Sequence, residues 1–196
     1  QVFGTVTKSA VATGADLVAY SGFSASNYLH QPYNSNLAIN STDSLTITCW
    51  IKASTSSTGL EIIFGTGELS AGRGRYLYLS NGAPYLDTYG GASSQATQTV
   101  HDGSWHQLVG IYTPTGGFVY VDGNLVSTPV LHSGYLDQTS TSWASRIGCS
   151  LTATDPFDNG SIALLRVSNS VPSAEQVKKI YEDEKVLFQE NAKATL

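Results

Sequence analysis

Apolar residues recur in short runs along most of this chain, and polar residues alternate with them. In SLTITCWIKAS the alternation is strict: Leu45, Ile47, Cys49 and Ile51 fall on one face, and Thr46, Thr48 and Trp50 on the other. Similar runs follow NYLHQP and NLAI. They are EIIFGTG, RYLYLSNG, PYLDTYG, HQLVGIYTP, FVYVDG, NLVSTPV, SRIGCSL and SIALLRVSN. Clusters of Gly, Asn, Pro and Ser separate them, as in STSSTG, SAGRG, YGGASSQ and TATDPFDNG. Short strands with such punctuation predict an all-β sandwich or barrel. The sharpest local signal is FVYVDGNLV, where Asp122-Gly123 sits between apolar alternations and predicts a tight hairpin, because a primed turn needs positive φ at its centre. TPTGG predicts a second hairpin, so residues 107–126 read as a three-strand meander. Residues 1–18 read as an edge strand or a linker, and 19–170 as the sandwich.

The period changes at Val171, and 171–196 read as a helix. Ser173 is its N-cap, Gln176 completes a capping box and Glu175 suits the positive end of the helix dipole. Val177, Ile180, Tyr181, Leu187 and Phe188 form one apolar stripe, interrupted by Glu184. The first two turns suffice to cover the sandwich. The remainder, through Phe188, suggests packing on a neighbouring subunit, as in a trimer, or a lead into another domain.

Composition narrows the function classes. Only 13% of the 196 residues are charged and the formal net charge is −5. With no basic stripe, a nucleic-acid footprint is not expected. No apolar run approaches the ~18 residues of a membrane-spanning helix. The chain has no Met and stops at Ala194-Thr195-Leu196, which suggests one module of a longer polypeptide. Cys49 and Cys149 lack the clustered partners of a zinc site and read as small buried thiols, unbridged.

Three segments carry a family resemblance. They are YSGFSASNYLHQPYNSNLAINSTDSLTITCWIKAS, HDGSWHQLVGIYTPTGGFVYVDGNLV and FDNGSIALLRVSNSVPSAEQVKKIYE. In this order they resemble the concanavalin A-like/laminin G-like sandwich over about residues 20–182. The resemblance implies a two-sheet antiparallel jelly roll with the C-terminal helix docked at one end. It implies binding of carbohydrate or another cell-surface ligand, often with a structural Ca²⁺. The end of the helix resembles extensions of marine phage tail and virion proteins. That implies a virion location, or else a secreted or cell-surface one, and a host glycan or polysaccharide as partner.

The candidate chemistry favours binding over catalysis. A retaining glycosidase needs two carboxylates about 5–5.5 Å apart, and no strand carries the Glu-x-Asp-x-x-Glu pattern that glucanases of this fold use. No Gly-x-Ser-x-Gly elbow accompanies His30, His101, His106 or His132. The expected reading is therefore a non-catalytic carbohydrate-binding module of a phage structural protein. A purely architectural virion domain and a glycan-cleaving enzyme are the alternatives. Trp50 and Trp105 read as scaffold rings whose N–H groups need partners. Trp143, in the polar run LDQTSTSWASR, is a ligand-contact candidate or a ring folded back on the sandwich. Asn81, Asp87 and Tyr89, around the turns of SNGAPYLDTYGG, form the other ligand candidate, since sugar sites pair hydrogen-bonding groups with a ring. Asp155, Asp158 and Asn159 in TATDPFDNG are the candidate Ca²⁺ ligands. The same residues also suit a turn capped by Asx side chains. At two positions where related domains carry acids, this chain has Ala163 and Leu164.

Overall fold

The alternating runs pair into two antiparallel sheets packed face to face. The computed structural model describes residues 1–35, 40–55, 59–68, 73–130 and 144–193; the NLAI run and Trp143 lie outside the described residues. Sheet 1 runs in the order β1 (Val2–Phe3), β4 (Tyr28–Gln31), β13 (Ala144–Ile147), β6 (Leu60–Gly67), β7 (Gly74–Ser80), β8 (Ala83–Thr88) and β9 (Ser93–Gln95). Sheet 2 runs β12 (Asn124–Leu125), β11 (Gly116–Val121), β10 (Trp105–Thr113), β5 (Leu45–Ala53), β14 (Gly160–Ser168), β3 (Val18–Ser21) and β2 (Thr7–Ala10). This is the jelly-roll sandwich the pattern predicted. The N-terminal residues supply edge strands to both sheets, β1 beside β4 and β2 beside β3.

The predicted meander is β10, β11 and β12. Thr113 pairs with Gly116 and Val121 with Asn124, so each turn has two central residues. Asp122 and Gly123 have φ of 51° and 76°, the signature of the expected primed turn.

The core lies between the sheets. One inner row of sheet 1 reads Leu29, Ile147, Phe64, Leu77 and Leu86, in register strand by strand. Ile47, Cys49, Ile51, Leu108, Val119 and Val121 meet it from sheet 2. Gly110 is small because its Cβ would stand 2.5 Å from Leu86 Cδ1. Both cysteines are free and buried, as expected, and burial pushes the Cys49 thiol up to about 12.

Sheet 2 is apolar on its outer face as well. Trp50, Val109, Ile111, Tyr120 and Ala163 are buried there. Their cover is α1 (Ala174–Glu184) followed by a 3₁₀ turn (Lys185–Phe188). Ser173 and Gln176 form the expected capping box. Val177 is fully buried, and Tyr181 and Phe188 stack on Trp50 at centroid distances of 5.6 and 4.3 Å. Phe188 also leans on Trp105 at 4.9 Å, and Trp105 Nε1 donates to the Val11 carbonyl at 3.1 Å. Both tryptophans are thus scaffold, but in the layer beneath the helix and not between the sheets.

Glu184 links the helix to two groups of sheet 2. Its Oε2 accepts from Trp50 Nε1 at 2.7 Å and its Oε1 pairs with Arg166 Nη2 at 2.6 Å. Arg166 reaches it because the β14 register shifts between Ala163 and Arg166, with Leu164 at φ 48°. The bulge leaves Val167 against the core and turns Arg166 outward.

Three expectations change. The helix ends at Phe188, not near residue 196, because the ring is drawn back onto the two tryptophans. The chain then meets the N-terminal loop, through Asn191 N–H to Thr13 O and Asp16 N–H to Ala192 O. The helix lies across the outer face of sheet 2 rather than at one end of the sandwich. The stripe that suggested a trimer contact packs within the same chain, through Val177, Tyr181 and Phe188. Among the described residues no helix is long and apolar enough to cross a membrane.

Replacing Glu184 tests this layer. Glu184→Ala strands the indole N–H and the guanidinium, at a cost of about 1–3 kcal/mol. In a domain of this size that lowers the melting temperature by roughly 2–4 °C per kcal/mol. Glu184→Gln still accepts from the indole and falls by less. An unchanged midpoint for Glu184→Ala would show that the helix is held without it.

Candidate functional site

No helix covers the outer face of sheet 1 among the described residues. A continuous outer row crosses it in register: His30, Arg146, Gly65, Tyr76, Asp87 and Ser93. Directly paired residues share a face and touch. The next row reads Ile62, Tyr78, Tyr85 and Gln95. Tyr78 and Tyr85 stack at 5.2 Å, and Tyr76 and Tyr89 lie 6.4 Å apart at a tilt. Gly65 is required here, because a Cβ would stand 2.7 Å from the Tyr76 ring.

Asp87 sits among these rings. Ser93 Oγ donates to its Oδ1 at 3.2 Å. Burial pushes the Asp87 carboxyl up to about 6, although its hydrogen bonds from Ser93 and Thr88 pull the other way. Tyr89 at the strand end is 44% exposed. The structure therefore brings Asp87 and Tyr89 to one face. It does not bring Asn81 to them. Asn81 and Gly82, with φ of 49° and 78°, form the β7–β8 turn at the far end, roughly 20 Å along the strand. Asn81 Oδ1 accepts from the Gly59 N–H at 3.2 Å, which makes it a turn residue. The sequence reading missed Tyr76, Tyr78, Tyr85 and Ser93. The signal was present in RYLYL, where Leu77 and Leu79 face the core and the tyrosines must face out.

The Ca²⁺ candidates belong to a tight turn after β13. Asp155 Oδ2 accepts from Thr154 Oγ1 at 2.8 Å, and Asp158 Oδ1 accepts from Asn159 Nδ2 at 2.7 Å. The Asn159 amide therefore turns its donor, not its oxygen, to Asp158. Among the described residues no group of three or more His, Cys, Asp or Glu could hold a metal ion. Calcium takes about 6–8 oxygens, and this donor set does not fit it.

His106 lies on sheet 2, between two carboxylates. Its Nδ1 is 2.8 Å from Asp122 Oδ2 and its Nε2 is 3.2 Å from Asp102 Oδ1. A general base for a nucleophile needs one ring nitrogen free to take the proton, and here both are engaged. The ring ties the 102–105 loop to the Asp122-Gly123 turn. The hydrogen bond that the ring makes to the Asp122 carboxylate raises the His106 pKa above its usual value and outweighs burial, which lowers it.

A family model described as the concanavalin A-like lectin/glucanases superfamily, laminin G type, matches residues 23–178. The chain belongs to this superfamily. Among solved structures, this concanavalin A-like domain is similar to the binding domain of Paraclostridial Mosquitocidal Protein 1, with a TM-score of 0.69 and 11% identity, covering 93% of this chain and 47% of that one. It is also similar to the receptor-binding domain of botulinum neurotoxin C/D mosaic serotype, with a TM-score of 0.67 and 16% identity over 94% and 46% of the two chains. The botulinum neurotoxin serotype D ligand-binding domain, in complex with N-acetylneuraminic acid, gives 0.67 and 17% over 94% and 45%. The chain spans about half the length of these structures. At such identities the likeness shows the fold alone. No curated protein matches the chain.

Two measurements follow from these groups. Glu61 is raised from 4.5 to about 7, first by burial and then by Asp158, and Asp87 to about 6. His106 is raised as well. All three hold protons more tightly folded than unfolded. Their stabilisation is complete below the unfolded values and is lost as pH rises through the folded ones. The denaturation midpoint should therefore be higher at pH 5.5 than at pH 8, and His106→Gln and Glu61→Gln should each flatten the slope. A midpoint that climbs toward pH 8 would contradict these assignments. Adding a chelator should leave the melting temperature unchanged; a drop would reveal a bound ion that this donor set does not provide for.

Proposed function

We propose that this domain is a non-catalytic module that binds cell-surface carbohydrate on the outer face of sheet 1, at Asp87, Tyr89, Tyr85 and Ser93. One observation carries the reading. A half-buried carboxyl stands among tyrosine rings on a sheet face that, among the described residues, no helix covers. A sugar offers the apolar face of its ring to an aromatic and its hydroxyls to a carboxylate, and this arrangement offers both partners. The similar folds support the reading: they are receptor-binding and ligand-binding domains, one of them in complex with N-acetylneuraminic acid. The proposed setting is the exterior of a phage particle, in a tail fibre or other surface protein, where repeated copies would turn weak single contacts into avidity.

Asp87→Asn and Tyr89→Ala should each weaken binding to surface polysaccharide by about tenfold, near 1.4 kcal/mol, while both variants still unfold cooperatively. Above about pH 6 the melting temperature of Asp87→Asn should not fall, because the amide removes the cost of ionising a half-buried carboxyl. Wild-type affinity should rise as pH passes through about 6 and the Asp87 carboxylate forms. Isothermal titration reads both effects. Full affinity in both variants would move the site elsewhere. Failure of the wild-type chain to bind any host polysaccharide at millimolar concentration would leave an architectural role, and turnover of those polysaccharides would make it an enzyme.

A further inference from the structure

At the opposite edge of the same face, β4 and β13 place His30 and Arg146 as register partners. Phe3 stacks on Tyr28 at 4.8 Å, and His30 stands edge-on to Phe3 at 5.3 Å. The Arg146 guanidinium lies over the Tyr28 ring, 4.5 Å from its centroid, and its Nη1 donates to the Ser150 carbonyl at 3.0 Å. These contacts hold the cation in place while leaving it partly exposed. No carboxylate neutralises it among the described residues, in a chain whose net charge is −5.

Two atoms of this corner are shielded from water and have no hydrogen-bond partner among the described residues: Arg146 Nε and His30 Nδ1. A polar group left in that state costs about 1–3 kcal/mol, more when charged. Two such atoms on adjacent strands call for a function or a missing partner. Burial, with help from Arg146, lowers the His30 pKa, so the ring is neutral and the guanidinium supplies the charge. Arginine presents a planar fork of donors that matches the paired oxygens of an acidic group.

We infer that this corner takes the anionic substituent of an acidic glycan, a carboxylate or a sulfate ester, with Arg146 as the ion-pairing residue and Phe3 and Tyr28 as the flanking aromatic wall. The inference rests on the glycan reading of sheet 1 and names the class of ligand. Arg146 and Asp87 stand three strand spacings apart, roughly 14 Å. The charged group and the hydroxyl that meets Asp87 therefore belong to different sugar units, and the ligand is an oligosaccharide. Asp87 repels an anion, so the charge goes to the Arg146 end and the orientation of the chain is fixed.

The test compares charged and neutral glycans of the same backbone. Galacturonate hexamer is titrated against its methyl ester, and sulfated carrageenan oligomers against neutral agarose oligomers, into wild type, Arg146→Gln, Arg146→Lys and Asp87→Asn. The wild-type domain should prefer the acidic member of at least one pair by about tenfold, and that preference should shrink as salt screens it. The pair that shows it separates carboxylate from sulfate. Arg146→Gln should bring acidic binding down to the neutral level, and Arg146→Lys, which keeps the charge but loses the fork, should fall between. Melting curves separate loss of binding from loss of fold, and the lysine variant carries the test if the glutamine variant unfolds. Equal affinity for charged and neutral partners, with Asp87→Asn weakening both, overturns the inference and leaves the glycan reading intact. An acidic preference lost in Arg146→Gln but untouched in Asp87→Asn supports the anion corner and overturns the Asp87 site. No binding of any glycan overturns both.

Discussion

The bond from Trp50 to Glu184 helps to close one of the two outer faces of this sandwich. Sheet 2 carries apolar side chains on both faces, and a second buried face must be sealed. A helix can do it only if the indole N–H at its centre finds an acceptor, since a buried donor without one is costly. Glu184 is that acceptor, and Arg166, turned outward by the β14 bulge, balances its charge. α1 and Phe188 close over Trp50 and Trp105, whereas among the described residues no helix lies on the outer face of sheet 1.

That surface is chemically graded. Tyrosines occupy successive outer positions of β7 and β8, an acid sits among them, and an arginine held over Tyr28 sits toward the far edge. Asp87 and Arg146 both influence Tyr76 between them, although burial is the main reason its hydroxyl resists ionisation. Glycines at 65 and 74 let the Tyr76 ring lie close to the sheet. Tyr76 and Tyr78 are buried on this face, so the rings it offers are Tyr89, which is exposed, and Tyr85, which is half-buried, with hydrogen-bonding groups beside them and opposite charges at the two sides. Such a surface suits an elongated, polar, partly charged ligand better than a small apolar one.

What the sequence revealed depended on the range of the interaction. The Asp122-Gly123 hairpin and the Ser173 cap were legible because their causes lie within a few residues. Glu184 looked like a flaw in an apolar stripe because its partner, Trp50, is 134 positions away. The end of the helix was misplaced for the same reason, since Phe188 answers to rings on β5 and β10. In the site, Asp87 and Tyr89 could be picked out as an acid and a ring in one strand region. Asn81 resembled them in composition, but its backbone is committed to the turn. The pairing of Arg146 with His30 was invisible, because only the register of β4 against β13 brings them together. Ligand candidates on a sheet are decided by facing and register, and alternation alone gives only the first.

The most direct test maps a bound oligosaccharide by NMR. The account predicts shifts in the ring signals of Tyr85 and Tyr89 and in the Arg146 side chain, with the indole N–H signals of Trp50 and Trp105 unmoved beneath the helix. Perturbation of those two indoles, with the tyrosine and arginine signals silent, would place the ligand on the helical side and contradict it.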